Sequence, residues 1–353
     1  MSLWRNLYRG ETDFDFVRRR RRFLLISATL IAVSLLSLLV RGLDGSVDFT
    51  GGAIVEAPNV SGEDVAGYRD GLAAIGQDGA RVQLRTEPDG SETVTVQTEP
   101  LDVDGRDTLV EAVASVAGVE PNDTSVEAVG PTFGSEITRR AIEALVIFLV
   151  VVTLFITWRF EWKMAIGALA ALFHDLIITA GVYSIVGFEV TPSTVIAILT
   201  ILGYSLYDTV VVFDKITENV HELGTRHTFS EIANLSMNQV LMRSLNTSLT
   251  SLLPIGSLLF VGSYLLGAAT LREFALALFI GIAAGTYSSI FVATPLLSEW
   301  KEREPDWQRM QRRVARRSGE TVLTAKEAAT AVAVEERSTG ATPRAPKRRG
   351  KHR

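Results

Sequence analysis

Pro192-Ser-Thr-Val-Ile-Ala-Ile-Leu-Thr-Ile-Leu-Gly-Tyr-Ser-Leu-Tyr-Asp-Thr-Val-Val-Val-Phe-Asp214 is apolar over about the length a bilayer requires, yet Asp208 sits inside it. A carboxylate in hydrocarbon is expensive, so Asp208 must face a protein interior or a water-filled path, and it is the first functional candidate. Helical spacing places Thr200, Tyr204 and Asp208 at i, i+4 and i+8, a polar stripe on one face. Gly203 and Ser205 lie beside that stripe and predict the close approach of a neighbouring helix.

The rest of the chain fits a membrane reading. Of 353 residues, 47% are hydrophobic, and they fall in long blocks, the pattern of a polytopic membrane protein. The formal net charge of −5 says little, because charge is segregated along the chain. There is no cysteine, which excludes disulfides and thiolate sites. The four histidines are scattered without metal-ligand spacing, so no metal site is expected. No glycine loop leads into a Lys-Ser/Thr pair, so the chain shows no sign of nucleotide hydrolysis. No cofactor is expected, and the chain does not read as an enzyme.

In chain order, residues 1–22 are a polar, cytoplasmic N-terminus ending in Arg18–Arg22, and 23–40 is the first transmembrane helix. A signal peptide shares this basic-then-apolar order, but the apolar core is long for one and Leu39–Asp44 has no small-x-small cleavage site. Residues 41–138 are an acidic insert. Its pattern predicts a strand Gly52–Ala57, a helix Ser61–Ile75 capped by Ser61, strands Ala80–Thr86 and Glu92–Thr98 around a turn at 87–91, a helix Arg106–Ala117 and a strand Ser125–Val129. The order βαββαβ predicts an extracytoplasmic ferredoxin-like α+β domain between helices 1 and 2.

Residues 139–297 carry five more spans, at about 139–158, 164–186, 192–213, 240–261 and 274–297, so the fold class is an α-helical polytopic membrane protein with six transmembrane helices in a 1+5 arrangement. Residues 214–239 read as an amphipathic connection, and 298–353 as a basic cytoplasmic tail, largely disordered. With both termini cytoplasmic, the inner segments hold 27 of the 35 Lys and Arg residues. Arg139 and Arg140, at the outer mouth of the second span, run against that bias.

Asp208 lies roughly 24 Å below Pro192 at ~1.5 Å per residue, past the midplane of a ~30 Å core. Arg243, near the start of the fifth span, falls at similar depth, and the two are expected to pair. Arg243, Thr247, Thr250 and Pro254 form a second polar stripe. Two stripes of opposite charge suggest a hydrated path. Two readings stay open: a proton-carrying carboxylate, or a structural ion pair between helices. His174-Asp175, near the middle of the third span, is a second candidate, with hydrogen bonding to neighbouring helices as the alternative. Asp214 is expected to contact Lys215 or the following loop. Gly281, Gly285, Ser288 and Ser289 read as a small-residue packing face.

Several motifs resemble the SecD/SecF family of bacterial protein-export subunits, within the RND superfamily, on its SecF side. They are Phe14-Asp-Phe16, Val47-Asp-Phe-Thr-Gly-Gly52, Val129-Gly-Pro131, Phe173-His-Asp175, Gly203-Tyr-Ser-Leu-Tyr-Asp-Thr-Val-Val-Val-Phe-Asp214 and Asn246-Thr-Ser-Leu-Thr-Ser251. The resemblance implies a multi-pass protein of the bacterial plasma (inner) membrane, partnered by SecD, the SecYEG channel, a translocating preprotein and the lipid bilayer, with no nucleic acid. It implies use of the proton motive force to promote late steps of translocation. It puts Asp208 in the proton path, with Arg243 at the family's basic position ahead of the fifth-span Thr-Ser-Leu-Thr run. Tyr204, Thr247, Asp175 and His174 complete the candidate path on position and chemistry. One departure is Tyr207, where many relatives carry Asn. The alternatives are a half-size RND-type exporter of lipids or small molecules, and a purely structural assembly subunit.

Overall fold

The computed structural model describes residues 12, 14–86, 90–265 and 269–317. Helix α1 (Arg20–Val40) leads into a two-residue strand β1 (Asp44–Gly45) and a single turn α2 (Val47–Thr50). Next come β2 (Gly52–Pro58), α3 (Val65–Ala73), β3 (Arg81–Thr86), β4 (Glu92–Thr98), α4 (Val103–Ala117) and β5 (Ser125–Val129). The remainder is α5 (Pro131–Arg159), α6 (Trp162–Val186), β6 (Glu189–Val190), α7 (Pro192–Leu223), α8 (Phe229–Ser257), α9 (Ala269–Ser288), α10 (Thr294–Lys301) and α11 (Pro305–Arg317). Among the described residues six helices are long and apolar enough to cross a membrane: Arg20–Val40, Thr132–Arg159, Trp162–Val186, Pro192–Leu223, Phe229–Gly262 and Arg272–Lys301.

The βαββαβ segment forms one sheet in the order β3-β4-β2-β5, with every neighbouring pair antiparallel. Alternation buries Ala53, Val55, Ala57, Val94 and Val96 against Tyr68, Leu72, Leu109 and Val113 of the two helices. Helix α3 starts later than its pattern suggested. Asp64, not Ser61, is the N-cap, because its carboxylate accepts from the Ala66 and Gly67 amides. Ser61 instead donates to the Val116 carbonyl at 2.6 Å, tying the start of α3 to the end of α4. Helix α4 begins at Val103, earlier than Arg106, because Asp102 caps it.

This unit is tied to the helices through a short sheet. Strands β1 and β6 pair in parallel, Asp44 with Glu189 and Gly45 with Val190, which joins the end of α1 to the α6–α7 connection. Arg81 then bridges Asp44 (3.4 Å) and Glu189 (3.2 Å).

The helices run beyond the expected spans. Helix α5 starts at Pro131, which suits a first helical position because its missing N–H has no partner to lose there. The connection expected over 214–239 is helical on both sides of a short break at 224–228. Its apolar residues explain this: Ile216, Leu223, Ile232 and Leu235 are buried, and Thr228 with Glu231 makes a reciprocal cap on α8. At ~1.5 Å per residue, α7 is about 48 Å long and must project past a ~30 Å core. The expected disordered tail is helical over α11, where Trp307 packs edge-on against Phe229 at 5.2 Å. The part of that expectation beyond Arg317 lies outside the described residues.

At the α5–α6 hairpin end, ion pairs cap the bundle. Lys163 meets Glu304 at 2.7 Å, Lys301 bonds Glu161 and reaches Glu304 at 3.4 Å, and Arg20 meets Glu299 (2.8 Å) and Glu302 (2.9 Å). Asp214 pairs there with Arg159 at 2.9 Å, not with Lys215, which bonds Glu218. The segment before α1 is clasped by α8. The Phe14 amide donates to Asn238 Oδ1 (2.9 Å), the Phe16 amide donates to Asn234 Oδ1 (2.8 Å), and both asparagine amides donate to the Phe14 carbonyl.

Candidate functional site

Helix α9 is the axis of the bundle, packed against α6, α7 and α8. Glycine makes that packing possible. A Cβ on Gly281 would collide with Ile201 of α7, and one on Gly285 would stand 3.0 Å from Ser205 Cβ and 3.5 Å from Asp175 Oδ2. The close approach expected at Gly203 is absent, since a Cβ there would meet nothing within 4 Å. Contact between α7 and α9 therefore runs through Ser205 and the glycines of α9.

Asp208 is 5% exposed and lies near the middle of α7. Its Oδ1 accepts from Ser244 Oγ of α8 at 2.6 Å, and its Oδ2 accepts from Ser289 Oγ at 2.5 Å. Asp175 of α6 is fully buried. Its Oδ2 accepts from Ser205 Oγ (2.5 Å) and Ser288 Oγ (2.8 Å), while Oδ1 lies 3.1 Å from His174 Nδ1. Hydroxyl donors satisfy a buried carboxylate without placing a fixed opposite charge beside it. Both acids are thus held by groups that can serve the ionised or the protonated form.

The expected Asp208–Arg243 ion pair does not form. Arg243 is on the outside of the bundle, donates to Tyr207 Oη at 3.0 Å and lies over the Tyr207 ring. The reason is helical phase: successive residues point ~100° apart. Asp208 and Ser244 turn inward together, so their chain neighbours Tyr207 and Arg243 turn outward together. The departure noted at Tyr207 thus coincides with the partner that Arg243 takes.

The two polar stripes also resolve differently. Residues at i, i+4 and i+8 drift by ~40° per step, so the first stripe winds from the surface into the core. Thr200 is exposed and bonds the Ile196 carbonyl, whereas the Tyr204 hydroxyl is buried without a hydrogen-bond partner among the described residues. On α8, Thr247 donates to the Arg243 carbonyl, and Thr250 to those of Asn246 and Thr247. These threonines are satisfied within their own helix and do not reach Asp208.

His174 is 2% exposed and stacks on Tyr287 with ring centroids 5.9 Å apart. Its Nε2 has no partner among the described residues. Among those residues no cluster of three or more His, Asp or Glu could hold a metal ion.

Composition alone did not single out the run Thr286-Tyr-Ser-Ser289. These four consecutive residues sweep around α9, and each meets a different helix. Thr286 Oγ1 bonds Ser248 Oγ of α8 (2.8 Å), and Tyr287 Oη donates to the Phe23 carbonyl of α1 (3.2 Å). Ser288 meets Asp175 of α6, and Ser289 meets Asp208 of α7. The available signal was the density of hydroxyls in an apolar helix, where glycine and serine also read as simple packing residues. The winding changes at this point, since Ser289–Ala293 is π-helical. Such wide turns often occur at functional sites.

Comparison with known proteins identifies the family. The family described as "Protein export membrane protein SecD/SecF, C-terminal" matches residues 109–303. The protein translocase subunit SecF of Streptomyces coelicolor is 40% identical over 315 residues, covering 89% of this chain and 83% of that one. The SecF subunit of Mycobacterium tuberculosis is 43% identical over 326 residues, covering 90% and 73%. The crystal structure of SecDF from Thermus thermophilus, a translocon-associated membrane protein, superposes with a TM-score of 0.74 at 35% identity, over 86% of this chain and 40% of that longer chain. The chain belongs to the SecF family of protein translocase subunits, and it is a multi-pass membrane protein.

Proposed function

We propose that this chain works with SecD beside the SecYEG channel in bacterial protein export, using the proton motive force to promote late steps of preprotein translocation. The observation that carries this reading is Asp208: a carboxylate buried at mid-helix and held by the hydroxyls of Ser244 and Ser289. A group held in this way can take up and release a proton without breaking an ion pair. Asp175 and His174 extend the path across the bundle. The buried Tyr204 hydroxyl adds a donor one helical turn from Asp208. Arg243 and Thr247 line the outer edge.

Two observations support SecD as the partner. The SecDF protein of Thermus thermophilus, 36% identical over 294 residues, is a longer chain of which this one spans 39%. The Tyr207–Arg243 pair also lies exposed on a helix face within a predicted span. An arginine at that depth is costly against lipid, so a SecD helix is the natural cover. The βαββαβ unit is read as a ferredoxin-like domain on the extracytoplasmic side, with the basic hairpin end, both termini and α11 in the cytoplasm. The excess of Lys and Arg in those segments supports this orientation.

The test is Asp208→Asn in vesicles carrying SecD and the channel. Completion of preprotein export under an imposed proton gradient should fall to the level without the gradient, while SecD still co-purifies. Export that stays fully gradient-stimulated in this variant refutes the proton path. Loss of co-purification as the sole defect assigns Asp208 to assembly.

A further inference from the structure

The proton-path reading centres on Asp208 and extends to Asp175 and His174, and the structure ties the two carboxylates to each other. Asp175 and Asp208 sit on different helices, yet adjacent residues hold them, Ser288 at the end of α9 on one and Ser289 at the start of the following π-turn on the other. Ser205, one turn before Asp208 on α7, donates to Asp175, which closes the connection. Each of these two serines also has a second acceptor in reach. Ser288 Oγ lies 3.2 Å from the Gly285 carbonyl, and Ser289 Oγ lies 3.2 Å from the Thr286 carbonyl.

We infer that Ser288 and Ser289 are positioning residues that couple two proton-holding centres, Asp208 and the His174–Asp175 pair, so that protonating one changes how the other is held. This rests on the proton-path reading above and extends it to a second site. The step is the uptake of one proton, supplied by the gradient, at one carboxylate, followed by a turn of the serine hydroxyl that had donated to it. When Asp208 is ionised, the Ser289 hydroxyl donates to its Oδ2. When Asp208 takes up a proton, its own O–H can donate to Ser289 Oγ, and the serine proton turns to the Thr286 carbonyl. The same exchange at Asp175 turns Ser288 toward the Gly285 carbonyl. The two serines are consecutive and the helix widens into a π-turn at Ser289, so a backbone shift that follows one carboxylate carries both donors.

Few other ionisable groups stand near the two acids. Beside Asp175 the titratable groups are His174 on α6 and Tyr287 on α9. Around Asp208 they are Tyr204 and Tyr207 on α7 and Arg243 on α8, of which Arg243 is engaged by Tyr207. Among the described residues no salt bridge links Asp208 to a cation, so hydroxyls alone hold it.

The experiment combines an activity profile with a spectroscopic one, on the chain reconstituted with SecD and the channel. The infrared carboxyl band of Asp175 is assigned by its loss in Asp175→Asn and then titrated. With Ser288 and Ser289 intact, Asp208→Asn should shift the midpoint of the Asp175 band by about one pH unit, as expected when a charge-assisted hydrogen bond is rearranged. In the Ser288→Ala/Ser289→Ala background that shift should vanish. The pH profile of gradient-stimulated export should also lose steepness in the double variant. If the double alanine variant does not assemble, Ser288→Cys and Ser289→Cys keep the volume and weaken the donor, in a chain that has no other cysteine. They should give an intermediate shift. A cross-shift that survives both substitutions overturns the coupling and leaves the Asp208 proton path standing. Gradient-stimulated export that survives Asp208→Asn removes the path itself, so the two failures are distinct.

Discussion

The acids at the hairpin end and the acids inside the bundle are held in opposite ways. Glu161, Glu299, Glu302 and Glu304 each face lysine or arginine, with Lys301, Lys163 and Arg20 supplying the charge. Asp208 and Asp175 are buried further, yet serine hydroxyls supply most of their hydrogen bonds. The contrast bears on the role proposed for each region. An acid against a fixed cation is stabilised in one charge state, and it anchors a helix end. An acid among hydroxyls has partners for both states, because a hydroxyl can donate or accept. The first arrangement suits a static cap, the second a group that exchanges a proton.

The sharpest way to break the comparison is to neutralise one acid from each set. Asp208→Asn should abolish the gradient response of export, a loss of tenfold or more if the carboxylate carries the proton (~1.4 kcal/mol per factor of ten). Glu304→Gln should leave that response intact. An equal loss in both variants would show that helix packing alone, and not the way the acid is held, decides activity.

A packing test comes next. Gly285→Leu forces bulk between Ser205 and Asp175, and it should lower stability by about 1–3 kcal/mol, read as a reduced melting temperature of the purified protein. Gly203→Ala, where the added Cβ meets no atom within 4 Å, should leave the melting temperature unchanged or raise it slightly. If Gly285→Leu melts like the wild type, α7 and α9 are not locked through that contact.

Arg243→Leu should lower gradient-stimulated export and SecD co-purification by a few-fold. It should barely alter the stability of the chain alone, because Arg243 faces outward and its side chain bonds Tyr207 on the same outer face. A large drop in melting temperature would mean that Arg243 supports its own bundle and not a partner.

The smallest effect belongs to the cap. Burial works against the ionised form of Glu304, but hydrogen bonds and charge from Lys163 and Lys301 hold its carboxyl below the usual range. A lowered folded-state value means that the stabilisation is present at neutral pH and lost as pH falls through about 4 and below. The partly exposed group contributes ~1 kcal/mol or less. Melting curves of the wild type and Glu304→Gln should therefore converge as the pH is lowered through that window. A constant gap across it would place the stabilisation elsewhere.

Much of the architecture was legible in local pattern. Long apolar runs gave the six spans, and period-two alternation gave the strand Glu92–Thr98. Boundaries were harder, because they depended on which acid reached which amide. Asp64 and Asp102 outcompeted Ser61 and Arg106 as helix starts for that reason. At the site, Asp208, Asp175 and His174 stood out as ionisable groups in apolar helices. Their partners did not, since Ser205, Ser244, Ser288 and Ser289 look like ordinary small packing residues in a one-dimensional reading.

The sequence by itself therefore determined how many helices cross and which acids they carry, because the bilayer imposes length and hydropathy on every span and makes a buried charge conspicuous. Only the tertiary structure decided which group answers each charge. A step of one residue turns the side chain by ~100°, so Ser244 meets Asp208 while Arg243, its neighbour, faces out to Tyr207. That phase is set by how α7, α8 and α9 pack through Gly281, Gly285 and Ser205, a consequence of three helices together that no single helix encodes.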